Sequence, residues 1–271
     1  MRRWLGFTGS LIGGFYVCSQ FGVLLHEFVG HGVIGVLCGG TFNEFTVLPG
    51  GGGWAWVDVA DRMVWVMQWG GIAVQLLTGL AAGALILRRR RHLSRTNLLL
   101  FLIAVTQTGA AIGYTLQGFL FRKGDSGHLA STMSMPVLVA ARLGLAVLFL
   151  AFLYWGLRRL LLLLEENYEP ASCRARYAAF VGSVIAPIGA FVVFAPAPTV
   201  FEASQRWLFY GCLFALLLCA GALFTRKRPK GAEPDRAYRP GVPAGMSWLL
   251  AAGATYWATV TWLSTVHVNW G

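Results

Sequence analysis

Residues Leu24 to Gly32 read LLHEFVGHG. The stretch is one residue away from H-E-x-x-H, in which two histidines four positions apart share a helical face and bind zinc beside a glutamate that serves as general base. Here His26 and His31 are five positions apart. On a regular helix turning about 100° per residue they diverge by roughly 140° rather than roughly 40°. A π-bulge absorbs one extra residue by shifting to i→i+5 hydrogen bonding, and such bulges recur at functional sites. That device returns both imidazoles to one face, and Gly30, Gly32 and Gly35 supply a permissive backbone for it. The same glycines equally suit close packing between helices.

The motif sits in a chain built for a bilayer. Of 271 residues, 56% are hydrophobic and 12% charged, and the mean hydropathy is +0.61. Apolar runs long enough to span a membrane recur at about 4–38, 63–87, 97–120, 136–157, 177–201, 207–225 and 246–267. The expected fold is therefore an all-α polytopic membrane protein of about seven transmembrane helices. The start, MRRWLGFTGSLIGGF, has the basic pair and apolar region of a signal peptide but no small-residue cleavage site, so it reads as an uncleaved first span.

The net charge of +11 does not indicate nucleic acid, because the basic residues cluster in short connectors between apolar runs. With the N-terminus in the cytoplasm, seven crossings leave 17 of the 22 Lys and Arg inside, among them Arg88–Arg91, Arg158, Arg159 and Arg226–Arg228. Only Arg62, Arg122, Lys123, Arg142 and Arg206 then lie outside or within the membrane. The five cysteines show no paired metal spacing and read as packing residues.

After the first run the pattern changes. Thr41 to Leu48 alternates as a strand does, Pro49 to Gly53 is a turn, and Trp54 to Val59 alternates again. This predicts a small membrane-associated β-hairpin, or an interfacial loop anchored by Trp54 and Trp56.

Ionisable residues inside a span are costly, which makes His26, Glu27 and His31 a candidate functional site. They can bind a metal, form a hydrogen-bonded polar plug, or make half of a proton pathway. A hydrolytic zinc site needs a third protein ligand and an open position for water. The segment GDSGHLAS offers Asp125 first and His128 as the alternative, although Asp125 can also be read as the N-cap of a short helix. His92 lies among arginines and His267 near the end of the chain, so neither is a candidate.

LLHEFVGHGVIGVLCGG, then TFNEFTVLPGGGGWAWV, then QWGGIAVQLLTGLAAG resemble, in that order, the core of the site-2 protease family of intramembrane zinc metalloproteases. The resemblance covers about residues 20–130. It implies Zn2+ as cofactor, His26 and His31 as ligands, Glu27 as catalytic base, Asp125 as third ligand, and a membrane protein or peptide as substrate. The chain departs from the family pattern in its extra residue and in lacking an asparagine- and proline-rich lead into an aspartate-glycine pair. Typical members carry the aspartate on a later core helix.

These readings divide the chain into a core with the metal motif, hairpin and third ligand at 1–135, and additional helices at 136–271. They describe a multi-pass plasma-membrane protein with a cytoplasmic N-terminus that hydrolyses peptide bonds in or near the lipid bilayer. The rivals are a non-catalytic scaffold or binding protein of the same fold, and a transporter coupled to protons or metal ions. No nucleic-acid partner is expected, and no oligomeric state is indicated.

Overall fold

The first apolar run is helical from Arg2 to Leu37, but its hydrogen bonding changes on the way. In the computed structural model, which describes residues 2–49, 52–88, 95–167, 173–182, 221, 242–264 and 266–270, helix α1 covers Arg2–Leu24, a π-helical segment covers Leu25–Val33, and α2 covers Ile34–Leu37. The Ile34 amide reaches back to the Val29 carbonyl, five residues earlier. The π hydrogen bonding thus runs over nine residues, more than the single bulge that one inserted residue requires.

Strands β1 (Thr41–Leu48) and β2 (Gly52–Asp58) form the expected hairpin. They pair antiparallel from Thr41↔Asp58 to Leu48↔Gly52, with a bulge between Phe42 and Glu44. The remaining helices are α3 (Val64–Arg88), α4 (Arg95–Phe121), a short α5 (Gly127–Thr132), α6 (Met135–Asn167), α7 (Cys173–Phe180) and α8 (Val242–Thr261). A third strand, β3 (Val266–Trp270), joins the other side of β1 and gives the order β2-β1-β3.

Among the described residues, four helical stretches are long and apolar enough to cross a membrane: Leu5–Leu37, Asp61–Arg88, Thr96–Phe121 and Met135–Leu161. They correspond to the first four expected spans. The spans expected at 177–201 and 207–225 fall almost wholly outside the described residues. The span expected at 246–267 is corrected: α8 stops at Thr261 and Val266–Trp270 is a strand. The reason is visible in VHVNW, where β-branched valines alternate with polar residues, a period of two that suits a half-buried strand. Val266 and Val268 pack on the sheet's buried core, while His267 pairs with Glu44 at 2.9 Å.

The hairpin folds back along α1. Its turn reaches the level of Tyr16 and Gln20, whose side chains both donate to the Pro49 carbonyl, at 3.0 and 2.8 Å. In a bilayer a turn at this depth has no water to bond, so the two donors replace it. Phe42, Phe45 and Val47 are buried on the hairpin's inner face, and Phe28 of the π-helical segment meets the Phe42 and Phe45 rings at 5.8 and 5.5 Å.

α3 crosses the π-helical segment through glycine on both sides. A Cβ on Gly30 would lie 2.2 Å from the Gly71 Cα, and one on Gly70 would lie 2.1 Å from the Gly30 carbonyl oxygen. Main chain thus packs on main chain, the close approach that small residues permit between membrane helices. α4 packs on α3 and α1, α6 on α4, and α8 on α1.

Gly30→Ala must force this crossing apart, at a cost of about 1–3 kcal/mol, the usual range for overpacking. We expect a lower unfolding midpoint in detergent than for wild type. Gly83→Ala, where a Cβ meets open space, should leave the midpoint unchanged or raise it.

Candidate metal centre

Three side chains from two distant parts of the chain converge. His26 and His31 come from the π-helical segment, and Asp125 comes from the turn after α4. Their ligand atoms all lie within 4.8 Å of one another. Asp125 Oδ2 is 2.9 Å from His26 Nε2 and 3.2 Å from His31 Nε2. Donors about 2.0–2.1 Å from a tetrahedral zinc stand roughly 3.3 Å apart, a separation that the two carboxylate–imidazole distances approach. The two imidazoles meet edge to face with centroids 4.7 Å apart, on one side of the segment, as the i→i+5 winding requires.

The far side of each ring is also engaged. His31 Nδ1 lies 2.9 Å from the Met67 carbonyl oxygen, and His26 Nδ1 lies 3.1 Å from Gln75 Oε1. Both partners are oxygen acceptors, so both Nδ1 atoms carry hydrogen. In the neutral rings the two Nε2 lone pairs then point at a carboxylate oxygen, three acceptors with no hydrogen between them. A cation at their focus relieves that arrangement, and histidine ligands are typically held in this way through the other ring nitrogen.

The supports on α3 are spaced four residues apart, on one helical face. The Met67 carbonyl holds His31, Gly71 leaves room for the His26 ring, and Gln75 holds His26. A Cβ on Gly71 would sit 2.5 Å from His26 Nε2.

Glu27 stands beside the trio. It is 6% exposed, comparable to the histidines at 7% and 6%, and its Oε2 is 4.0 Å from His31 Nε2, beyond hydrogen-bond range. Its side chain lies under β2, where a Cβ on Gly53 would come within 2.7 Å of Glu27 Cγ.

Asp125 is positioned by a tight turn. Arg122 and Gly124 both adopt left-handed backbone, with φ of 55° and 70°. A side chain at 124 would also meet the Tyr114 hydroxyl at 2.6 Å. That hydroxyl is hydrogen-bonded to the Asp125 main chain, and the Tyr114 ring lies edge-on to His26 with centroids 5.7 Å apart. Buried Ser126 donates to the Thr115 carbonyl at 3.2 Å. Arg142 of α6 donates to the Phe119 and Leu120 carbonyls, at 2.9 and 3.2 Å, and so satisfies the last turn of α4 just before the loop. Burial disfavours the Asp125 carboxylate, but where imidazole N–H groups rather than a cation face it, their hydrogen bonds and charge outweigh that penalty and hold the carboxyl well below its usual range.

Two expectations change. Asp125 is not a helix N-cap: α5 begins at Gly127 after Ser126, and the Asp125 carboxylate is turned toward the imidazoles. It also occupies a loop rather than the interior of a later helix. His128, the alternative third ligand, is exposed on α5 and stands outside the cluster. The supporting residues Met67, Gly71, Gln75 and Tyr114 were not assigned from sequence. A glutamine in the middle of an apolar helix was the available signal for Gln75.

Comparison with known proteins yields no match: no family model fits the chain, and no curated protein or solved structure is similar to it.

Gly71→Ala places a methyl group against His26 Nε2. The variant is expected to lose bound metal, read by metal analysis of the purified protein, while keeping wild-type helical content by circular dichroism.

Proposed function

We propose that this protein is a membrane-embedded zinc metalloprotease of the site-2 protease kind, cleaving peptide bonds of membrane proteins within or near the bilayer. The observation that carries the reading is the convergence of two Nδ1-anchored imidazoles and one carboxylate, with a fourth ionisable group, Glu27, beside them but outside the ligand trio. His26, His31 and Asp125 would hold the ion, leaving a position for water. Bound zinc supplies an acidified water and a Lewis acid for the scissile carbonyl. Glu27 accepts a proton from the attacking water and delivers it to the leaving amine, the role that its place beside His31 suits.

Substrate presentation falls to the hairpin. Among the described residues β2 pairs only with β1, so its second edge offers main-chain groups for an extended peptide. Gly53 brings that strand against Glu27 with no side chain between. A transmembrane substrate must unwind locally to pair there, which opens its backbone to attack.

The transporter alternative needs polar side chains along a path. Gln20, Gln75 and Gln107 instead donate to the carbonyls of Pro49, Gly22 and Cys18, tying the hairpin turn, α3 and α4 to α1. A non-catalytic relative keeps the ligands without turnover, and activity measurements separate it from the enzyme.

Glu27→Gln should retain about one zinc per chain and lose about 10²–10⁴-fold in cleavage rate, the contribution of a general base. Asp125→Ala should weaken zinc binding by more than the roughly 10–100-fold that an outer hydrogen-bond partner contributes. His128→Ala should change neither quantity. Equal zinc affinity in wild type and Asp125→Ala would remove Asp125 from the ligand set, and undiminished cleavage by Glu27→Gln would remove the mechanism.

The orientation belongs to the same proposal: N-terminus in the cytoplasm of a plasma-membrane protein, with the Asp125 turn on the outer side. A reporter fused after Arg91 should read cytoplasmic and one fused after Asp125 external. A cytoplasmic signal at Asp125 reverses the topology and leaves the chemistry unaffected.

A further inference from the structure

We infer that Gln75 is a positioning residue that fixes the His26 imidazole as its Nδ1–H tautomer, so that Nε2 presents its lone pair to the ion. The inference rests on the metal reading above and extends it to a residue outside the ligand set.

Gln75 is 5% exposed, on α3. Its amide is pinned at both ends: Nε2 donates to the Gly22 carbonyl at 3.1 Å, and Oε1 faces His26 Nδ1 at 3.1 Å. The first bond determines the second. A flipped amide would set its NH2 against the Nδ1 hydrogen and its carbonyl against the Gly22 carbonyl, so both bonds would be lost. With Nε2 committed to main chain, only the oxygen remains for His26, and an oxygen accepts only from a protonated Nδ1.

An amide suits the position better than a carboxylate would. Glu27 and Asp125 already bring two acidic groups into a membrane-buried site, and a neutral acceptor orients the ring without a third. Gly22 lies four residues before His26, so the same side chain also ties the last turns of α1 to α3 where the π-helical winding begins.

The two histidines are not equivalent in this respect. His31 Nδ1 bonds to the Met67 main-chain carbonyl, which no substitution removes, whereas His26 depends on one side chain. A Gln75 variant should therefore affect His26 and leave His31 as an internal reference.

The test compares full-length wild type, Gln75→Leu and Gln75→Glu in detergent. Zinc affinity is measured by chelator competition, and the tautomer is read from imidazole 15N chemical shifts in the zinc-free chain at a pH high enough to make the rings neutral. Wild type should show Nδ1–H at both histidines. Gln75→Leu should weaken zinc about 10–100-fold, the usual effect of removing a histidine's outer partner, and shift the His26 nitrogens while the His31 signals stay in place. Gln75→Glu keeps an oxygen acceptor for His26 but loses the bond to Gly22, so it should weaken zinc clearly less than Gln75→Leu does. Wild-type affinity and an unshifted His26 in Gln75→Leu would overturn the inference. Equal weakening in Gln75→Leu and Gln75→Glu would also overturn it, because the side chain would then serve packing alone. A wild-type chain that takes up no zinc would overturn the metal reading beneath it, and the zinc-free spectra would still decide the tautomer.

Discussion

The i→i+5 hydrogen bonding over Leu25–Val33 sets His26 and His31 over one another despite their five-residue spacing, and the rest of the site is arranged around it. π-helical winding is rare because it packs its own backbone less well than an α-helix does. Here the surroundings compensate. Gly30 brings α3 into main-chain contact, and Gly32 leaves space that the Phe42 ring fills. Phe28 is held among Phe42, Phe45 and Trp270. The widened turn is thus clasped from one side by a helix and from the other by a sheet.

The clasp also governs the electrostatics. Three ionisable side chains on one segment of a membrane-length helix carry a desolvation penalty of several kcal/mol each unless they are paired. Every polar atom that the rings present has a partner: carbonyl-type oxygens at Nδ1, the Asp125 carboxylate at Nε2. The pairing draws on α1, α3 and the turn after α4, so the site consolidates the helix bundle as well as interrupting it. Arg142 follows the same rule at smaller scale, a cation within an apolar helix that is stabilised by the free carbonyls where α4 ends.

Much of this was legible in the sequence because the signals are local. The surplus residue between Glu27 and His31 predicted a π distortion, alternation from Thr41 predicted the hairpin, and a lone acidic residue after the third apolar run brought Asp125 forward. What sequence reading missed depends on contacts between distant segments. Nothing near Met67 marks its carbonyl as a histidine partner, and Gly71 looks like any other glycine in a glycine-rich helix. The third strand was hidden for another reason: Val266 and Val268 lengthened an apolar run, and hydropathy outweighed a two-residue period only five residues long. The length of the π-helical segment was not readable either, since one inserted residue calls for one bulge and tertiary packing decides how far the winding extends.

The β1–β3 pairing has a consequence in time. Phe42 and Trp270 are about 230 positions apart, so β1 waits for a segment made much later before its second edge is covered. At ribosomal rates of roughly 5–20 residues per second, the hairpin spends on the order of 10–45 s with that edge open. The donor set is complete much sooner, once Asp125 has been made. The three side chains can therefore converge on a nascent chain whose sheet is still unfinished, and the third strand is added afterwards, next to a trio already in place.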